Sequence, residues 1–405
     1  MKLGIIGLGQ FGPELAQLFY AHPGVDHLAL CDVVKDRAKA VQSSLGPDTR
    51  VVDNFDDMCA SDVDAVAIFT QRWLHAEMTI KALKAGKHVY CAVPMANTVA
   101  EVKQILDTVQ RTGLVYMSGE TCYYYPAVIY CREKWQKGDF GHFVYAEGEY
   151  RHDMSHGFYD AYKFSGGATW KETASFPPMM YPTHSVSAVL ASVGSYFTKV
   201  SCIGYRDQEN DGVFDRKVSK WNNDFSNESA FFTRADGGAV RINEFRRIGS
   251  HQEHAYPMSI IGTQGSFELN TRSATFQTLN NLEDVSELLA CDEGKSEKNI
   301  EASDVNAEIL EGFRSGMSKL HDVKRLPAEF KGLPNGHEGS HQFLVDDFVK
   351  ACVSQTVPPI SAWRAARYVV PGLVAHQSAL RDGERMNVPD FGPGPEVGTA
   401  VASKK

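Results

Sequence analysis

Short apolar runs and amphipathic stretches alternate along the first third of the chain. The runs Leu3–Gly7, His27–Asp32, Ala65–Phe69, His88–Cys91 and Leu114–Ser118 read as buried strands. Between them, residues 13–21, 76–85 and 99–111 place apolar side chains at three- and four-residue spacing, the mark of helices lying on a sheet. This alternation predicts βαβ units on a doubly wound parallel sheet, a Rossmann-type domain over residues 1–122. The period then changes. After a helix near Pro126–Trp135, Phe143–Tyr150 alternates, and Ser229–Thr233, Val240–Phe245 and Met258–Gly262 are strand-like runs divided by turns. An α+β domain with a mainly antiparallel open sheet is expected over residues 123–390. Within it, residues 270–335 are polar and irregular save for one helix at Ala307–Lys319, and helices over 339–352 and 362–380 close the domain. Residues 391–405 read as a flexible tail.

A chain of 405 residues has room for two cores, and 43% hydrophobic with 22% charged residues is an ordinary globular balance. A net charge of -9, spread along the sequence, argues against a nucleic-acid partner. The eight cysteines have no zinc-ligand spacing and read as reduced, buried thiols. No apolar run reaches membrane-spanning length, and the opening residues pass straight into a strand, so a cytoplasmic protein is expected.

The first strand runs into Gly7, Gly9 and Gly12, with Gln10 and Phe11 between the second and third glycines, and the third opens a helix. In that context the spacing reads as a dinucleotide turn: a tight bend at Gly7, backbone approach to the pyrophosphate at Gly9, and close helix–strand packing at Gly12. Asp32 ends the second strand twenty residues beyond Gly12, placed to accept hydrogen bonds from the adenosine ribose. This favours NAD, while the nearby Arg37 keeps NADP open.

Three further landmarks are Thr70 to His75, Ala85 to Val89 and Gly262 to Glu268. With the glycine turn they resemble the family of glucose-fructose oxidoreductase and inositol dehydrogenase. The resemblance implies homo-oligomers formed through the open face of the second-domain sheet; Thr70, Arg72, Trp73 and His75, after the fourth strand, are the cofactor candidates, with an anionic substrate group or surface packing as the other readings of Arg72 and Trp73. That family has Glu-Lys-Pro after the strand at 88–91, its lysine relaying the substrate proton; here Ala92-Val93-Pro94 stands there. Val93 cannot transfer a proton, although Val93 and Pro94 can still shape the cofactor side of that turn. Where most members carry Asp and His four residues apart, this chain has Met180 before Tyr181-Pro182-Thr183-His184. The lysine-free element and this run are similar to the family's branch of NAD-dependent glycosidases. That branch implies oxidation at carbon 3 of a sugar, loss of the carbon 2 proton, elimination at carbon 1, water addition and return of the hydride.

Such chemistry needs proton-transfer groups that work near neutrality, and His184 and Tyr181 at the start of a helix are the catalytic candidates. Glu120 and Tyr124, after the last Rossmann strand, and His152 and Asp153, after the first strand of the second domain, are candidates for binding a carbohydrate substrate. Packing competes as an explanation for Tyr124. His251 and His254 lack a third placed ligand, and no metal is expected. A net sugar or cyclitol dehydrogenase is the alternative function, and a non-catalytic dinucleotide sensor the third.

Overall fold

The computed structural model describes residues 1–9, 11–46, 48–250, 256–291 and 316–401. The chain divides into two compact units. The first comprises Met1–Pro126, Ala290–Ala366 and Phe391–Lys405, the second Ala127–Leu289 and Arg367–Asp390.

In the first unit, β1 (Lys2–Ile6), α1 (Gly12–Ala21), β2 (His27–Cys31), α2 (Lys35–Leu45), β3 (Thr49–Val51), α3 (Phe55–Ala60), β4 (Ala65–Ile68), α4 (His75–Lys84), β5 (His88–Cys91), α5 (Val99–Thr112) and β6 (Tyr116–Ser118) follow one another. The strands form one parallel sheet in the order β3-β2-β1-β4-β5-β6, the doubly wound arrangement that the alternating pattern predicts. Near-continuous apolar strands suit a sheet buried on both faces, and Leu3, Ile5, Ala65, Val66, Ala67 and Ile68 are fully buried.

The second unit holds α6 (Pro126–Gln136), β7 (Phe143–Arg151), α7 (Tyr159–Gly166), α8 (Trp170–Ala174), α9 (Thr183–Val193), β8 (Phe197–Arg206), β9 (Phe225–Arg234), β10 (Ala239–Phe245), β11 (Met258–Gly262), β12 (Gly265–Leu269), β13 (Ala274–Thr278), β14 (Leu282–Asp284) and α10 (Ser286–Leu289). Two further helices follow, α11 (His341–Ser354) in the first unit and α12 (Ala362–Ala379), which starts in the first unit and ends in the second, before the short β15 (Met386–Asn387). The nine-stranded sheet of the second unit runs β14-β13-β12-β11-β7-β10-β9-β8-β15. Its pairs are antiparallel except β7 with β10, so the sheet is mixed but mainly antiparallel as expected.

Three expectations need correction. Residues 274–284, taken as irregular, add β13 and β14 to the sheet, with Phe267 paired to Phe276. The segment from Ala290 to Ala366 groups with the first unit rather than the second. The residues from Phe391, read as a loose tail, are tied down as far as Val401: Val357 N–H donates to Thr399 O (2.9 Å), Val401 N–H donates to Gln355 O (2.9 Å), and Gly394 lies against the Trp363 ring. Backbone pairing of this kind carries no apolar signature, which is why composition suggests a tail. The helix expected at Ala307–Lys319 lies outside the described residues up to 315, and residues 316–319 are not helical. His251, His254 and Gln10 also lie outside them. Among the described residues no helix is long and apolar enough to cross a membrane.

Candidate active site

The first unit presents the glycine turn at the carboxyl end of β1. Gly7 has φ +89°, and a Cβ there would lie 2.6 Å from the Phe69 carbonyl, so only glycine fits. A Cβ on Gly12 would lie 2.1 Å from Gly7 O, which is the close packing expected of the third glycine. At Gly9 a Cβ would meet nothing within 4 Å, leaving the backbone open to an approaching group. Phe11 is exposed beside this turn.

Asp32 is buried at the end of β2. Its Oδ2 accepts Leu8 N–H (2.7 Å) and its Oδ1 accepts Val34 N–H (2.8 Å), with Arg37 Nη1 3.9 Å from Oδ1. A carboxylate has about four acceptor positions, so capacity remains for ribose hydroxyls while the bond from Leu8 fixes the glycine turn to the end of the second strand. These features fit a dinucleotide.

His75, a candidate cofactor contact, bridges two loops. It is fully buried, with Nδ1 2.8 Å from Pro94 O and Nε2 3.0 Å from Thr70 O. It ties the loop after β4 to the loop after β5, and burial pushes its pKa down against the raising effect of the two carbonyls. Arg72 and Trp73 form a half-buried turn before α4, where Arg72 O accepts Asn97 Nδ2 (3.3 Å). Val93 and Pro94 are joined by a cis peptide in the loop that His75 holds.

Of the two candidates after β6, Glu120 is fully buried and its Oε1 accepts Cys122 N–H (2.9 Å). Tyr124, the other, is buried in the first unit. Its hydroxyl donates to Asp347 and accepts from Arg325 Nη2 (3.1 Å), and its ring stacks on Phe343 at 5.2 Å.

In the second unit the sequence candidates do converge. α9 begins at Thr183, with Pro182 as its cap, and the Tyr181 hydroxyl lies 3.3 Å from His184 Nε2. Two tyrosines enclose this pair. Tyr150, at the end of β7, stands edge-on to the imidazole at 5.2 Å and stacks face to face on Tyr256 at 5.1 Å and 4°. His152 packs flat on Phe158 at 4.0 Å, and burial with the nearby Arg246 cation pushes its pKa down to about 4, so the ring is neutral at pH 7. The Asp153 carboxylate accepts Ser155 N–H and Ile248 N–H, each at 2.9 Å.

Beneath this cluster lies a buried charge pair that the sequence analysis missed. Glu244 Oε2 accepts Arg246 Nη2 (2.7 Å), Ser185 Oγ donates to Oε1, and the guanidinium sits over the Tyr150 ring at 4.6 Å. Burial raises the Glu244 pKa to about 7 despite the Arg246 charge. The signal was present: Val240, Ile242 and Glu244 share the inward face of β10, so alternation alone buries this carboxylate. Tyr256, in contrast, stands outside any regular element and has no local signature.

The first unit thus presents a Rossmann sheet with an open glycine turn, and the second gathers tyrosines around a histidine. Residues 1–120 match the model of the oxidoreductase family with an NAD-binding Rossmann fold. Over 413 residues it is 25% identical to a glycosyl hydrolase family 109 protein of Streptomyces niveus, covering 96% of this chain and 77% of that relative. A family 109 protein of Solibacter usitatus is also 25% identical, over 96% of this chain and 88% of the relative. The fold is that of scyllo-inositol dehydrogenase from Lactobacillus casei, solved with NAD(H) and scyllo-inositol (TM-score 0.68, 16% identity, 96% of this chain and 99% of that one). It is equally that of a levoglucosan dehydrogenase solved with NADH and L-sorbose (TM-score 0.70, 17% identity, 96% and 99%).

Proposed function

We propose that the chain is an NAD-dependent glycosidase that cleaves a sugar glycoside without net redox change, by transient oxidation at carbon 3, elimination, water addition and re-reduction. The observation that carries this reading is the pairing of Tyr181 with His184, in a chain whose sequence has Val93 in place of a proton-transferring lysine. The whole-length likeness to family 109 glycosyl hydrolases supports it.

The bound NAD supplies a reversible hydride acceptor. The turn at Gly7, Gly9 and Gly12 and the Asp32 carboxylate hold it, and His75 keeps the Thr70 and Pro94 loops in register. His184 and Tyr181 take up and return the substrate protons, the hydroxyl and ring nitrogen exchanging a proton across their 3.3 Å contact. Stacked Tyr150 and Tyr256 and neutral His152 offer apolar ring faces with polar edges, the chemistry that suits a sugar. We also assign the open sheet face of the second unit to pairing with a second copy of the chain, in a cytoplasmic homo-oligomer.

Incubation of the protein with a panel of aryl glycosides tests the reading. Aglycone release with no accumulation of NADH is expected, falling roughly 10²- to 10⁴-fold in His184→Ala and less in Tyr181→Phe while NAD affinity is kept. Stoichiometric NADH without release would transfer the assignment to a net sugar or cyclitol dehydrogenase, the reading that the structural likenesses favour. Full activity in both variants would remove the proton-transfer roles.

A further inference from the structure

The glycine turn has a neighbour that no sequence motif marks. Just before α11, His337 (φ 48°) and Glu338 (φ 50°) stand consecutively in the left-handed region, which is costly for residues with side chains. The surroundings hold them there. Asn335 Nδ2 donates to Gly339 O (2.8 Å), Asn335 Oδ1 accepts Gln342 N–H (3.0 Å), and a Cβ on Gly339 would lie 2.4 Å from Gly316 O. A strained turn fixed on several sides is retained for what it positions.

This turn positions two imidazoles against Phe11. The Phe11 ring centroid is 4.8 Å from His337 and 5.6 Å from His341. His341 is only 2% exposed, and its Nδ1 lies 2.7 Å from Oε1 of Glu14, a residue in the first turn of α1. The same oxygen accepts Gly336 N–H (3.1 Å). The other ring nitrogen, Nε2, is buried and has no hydrogen-bond partner. Buried polar atoms are rarely left so, and one beside a dinucleotide turn marks a contact that a ligand completes.

Charge gives the ligand's sign. An acidic Glu14 at the helix start where a diphosphate is to bind is unfavourable by itself, and the imidazole bonded to it occupies that carboxylate and leaves Nε2 as its remaining hydrogen-bonding atom. We infer that His341 is a cofactor-binding residue whose Nε2 hydrogen-bonds the diphosphate of the dinucleotide at the start of α1, with Glu14 holding the ring. The inference rests on the NAD reading of the first unit and adds a contact outside its glycine motif.

Titration calorimetry of the full chain with NAD and with ADP-ribose, which keeps the diphosphate and lacks nicotinamide, tests it. His341→Gln should weaken both ligands by tenfold or more and by the same factor, and Glu14→Gln should weaken both less. Unchanged affinity in His341→Gln overturns the inference, as does a loss confined to NAD, which would put the contact at the nicotinamide. Should His341→Gln fail to fold, Glu14→Gln decides alone, and wild-type affinity for both ligands in it overturns the role. A wild-type chain binding neither ligand overturns the cofactor reading itself, whereas tight wild-type binding unaffected by either substitution overturns this contact only.

Discussion

Glu244 is a carboxylate enclosed by protein, with Arg246 and Ser185 as partners and Tyr150 stacked beyond the guanidinium. Two effects compete there: exclusion of water opposes ionisation, and the Arg246 charge favours it. Exclusion wins, since the group moves from its ordinary 4.5 up to about 7. The native state therefore binds a proton between those two values that the unfolded chain has released. Stability must fall as pH rises through that window, by up to about 3 kcal/mol for such a difference. Glu244→Gln does not titrate, so the margin by which the wild type melts above this variant should narrow steadily between pH 5 and pH 7. Thermal melts across that range check it, and a constant margin would show that the carboxylate ionises normally. Because Ser185 follows His184 and donates to Glu244, the same carboxylate also sets the seat of the imidazole.

At the scale of elements, the start of α9 is gripped by two glycines. A Cβ on Gly148 of β7 would stand 2.3 Å from Ser185 O, and one on Gly372 of α12 would stand 2.2 Å from Met179 O. Helix and strand therefore meet at backbone distance, and Glu228 completes the grip by accepting Met179 N–H (2.7 Å) and bonding His376 (2.8 Å). Gly148→Ala should force α9 outward, costing about 1–3 kcal/mol and lowering turnover at least tenfold while NAD affinity holds. Calorimetric unfolding together with steady-state rates reads both effects; an unchanged rate would mean that the seat of His184 tolerates displacement. The sequence showed much of this unevenly. β1, the glycine turn and α1 were readable because their signals are local and contiguous. The helix α2 was not, since it buries only Ala38 and Val41 and so has little apolar period. β8 was hidden by Ile203 and Tyr205, apolar residues on its outward positions that blur the alternation. The pairing of Tyr150 with Tyr256 and of Glu14 with His341 joins residues far apart in the chain, which no local pattern can show.

For the whole molecule, the nine-stranded sheet raises a question of solvent. One face carries α9, which contacts β7, β10 and β11, and holds the inward residues Cys202, Phe232, Ile242 and Ile260. The other presents Ile203, Tyr205 and Phe231 at 61%, 53% and 54% exposure, on the neighbouring strands β8 and β9. Single exposed apolar residues are ordinary, but three adjacent ones on a broad sheet form a patch that a second copy would cover. Charges border it: Arg241 donates to Glu147 (2.6 Å), and Glu149 pairs with Arg151. A two-fold pairing would set apolar centre against apolar centre and leave these ions at the rim, the arrangement of stable interfaces. Phe231→Asp combined with Ile203→Asp puts unpaired charge into the middle of that contact. Light scattering behind size exclusion should then report one chain per particle where the wild type reports a multiple, with aglycone release per chain little changed if each copy works alone. A wild-type particle of one chain at micromolar concentration would remove the pairing and leave the patch to explain.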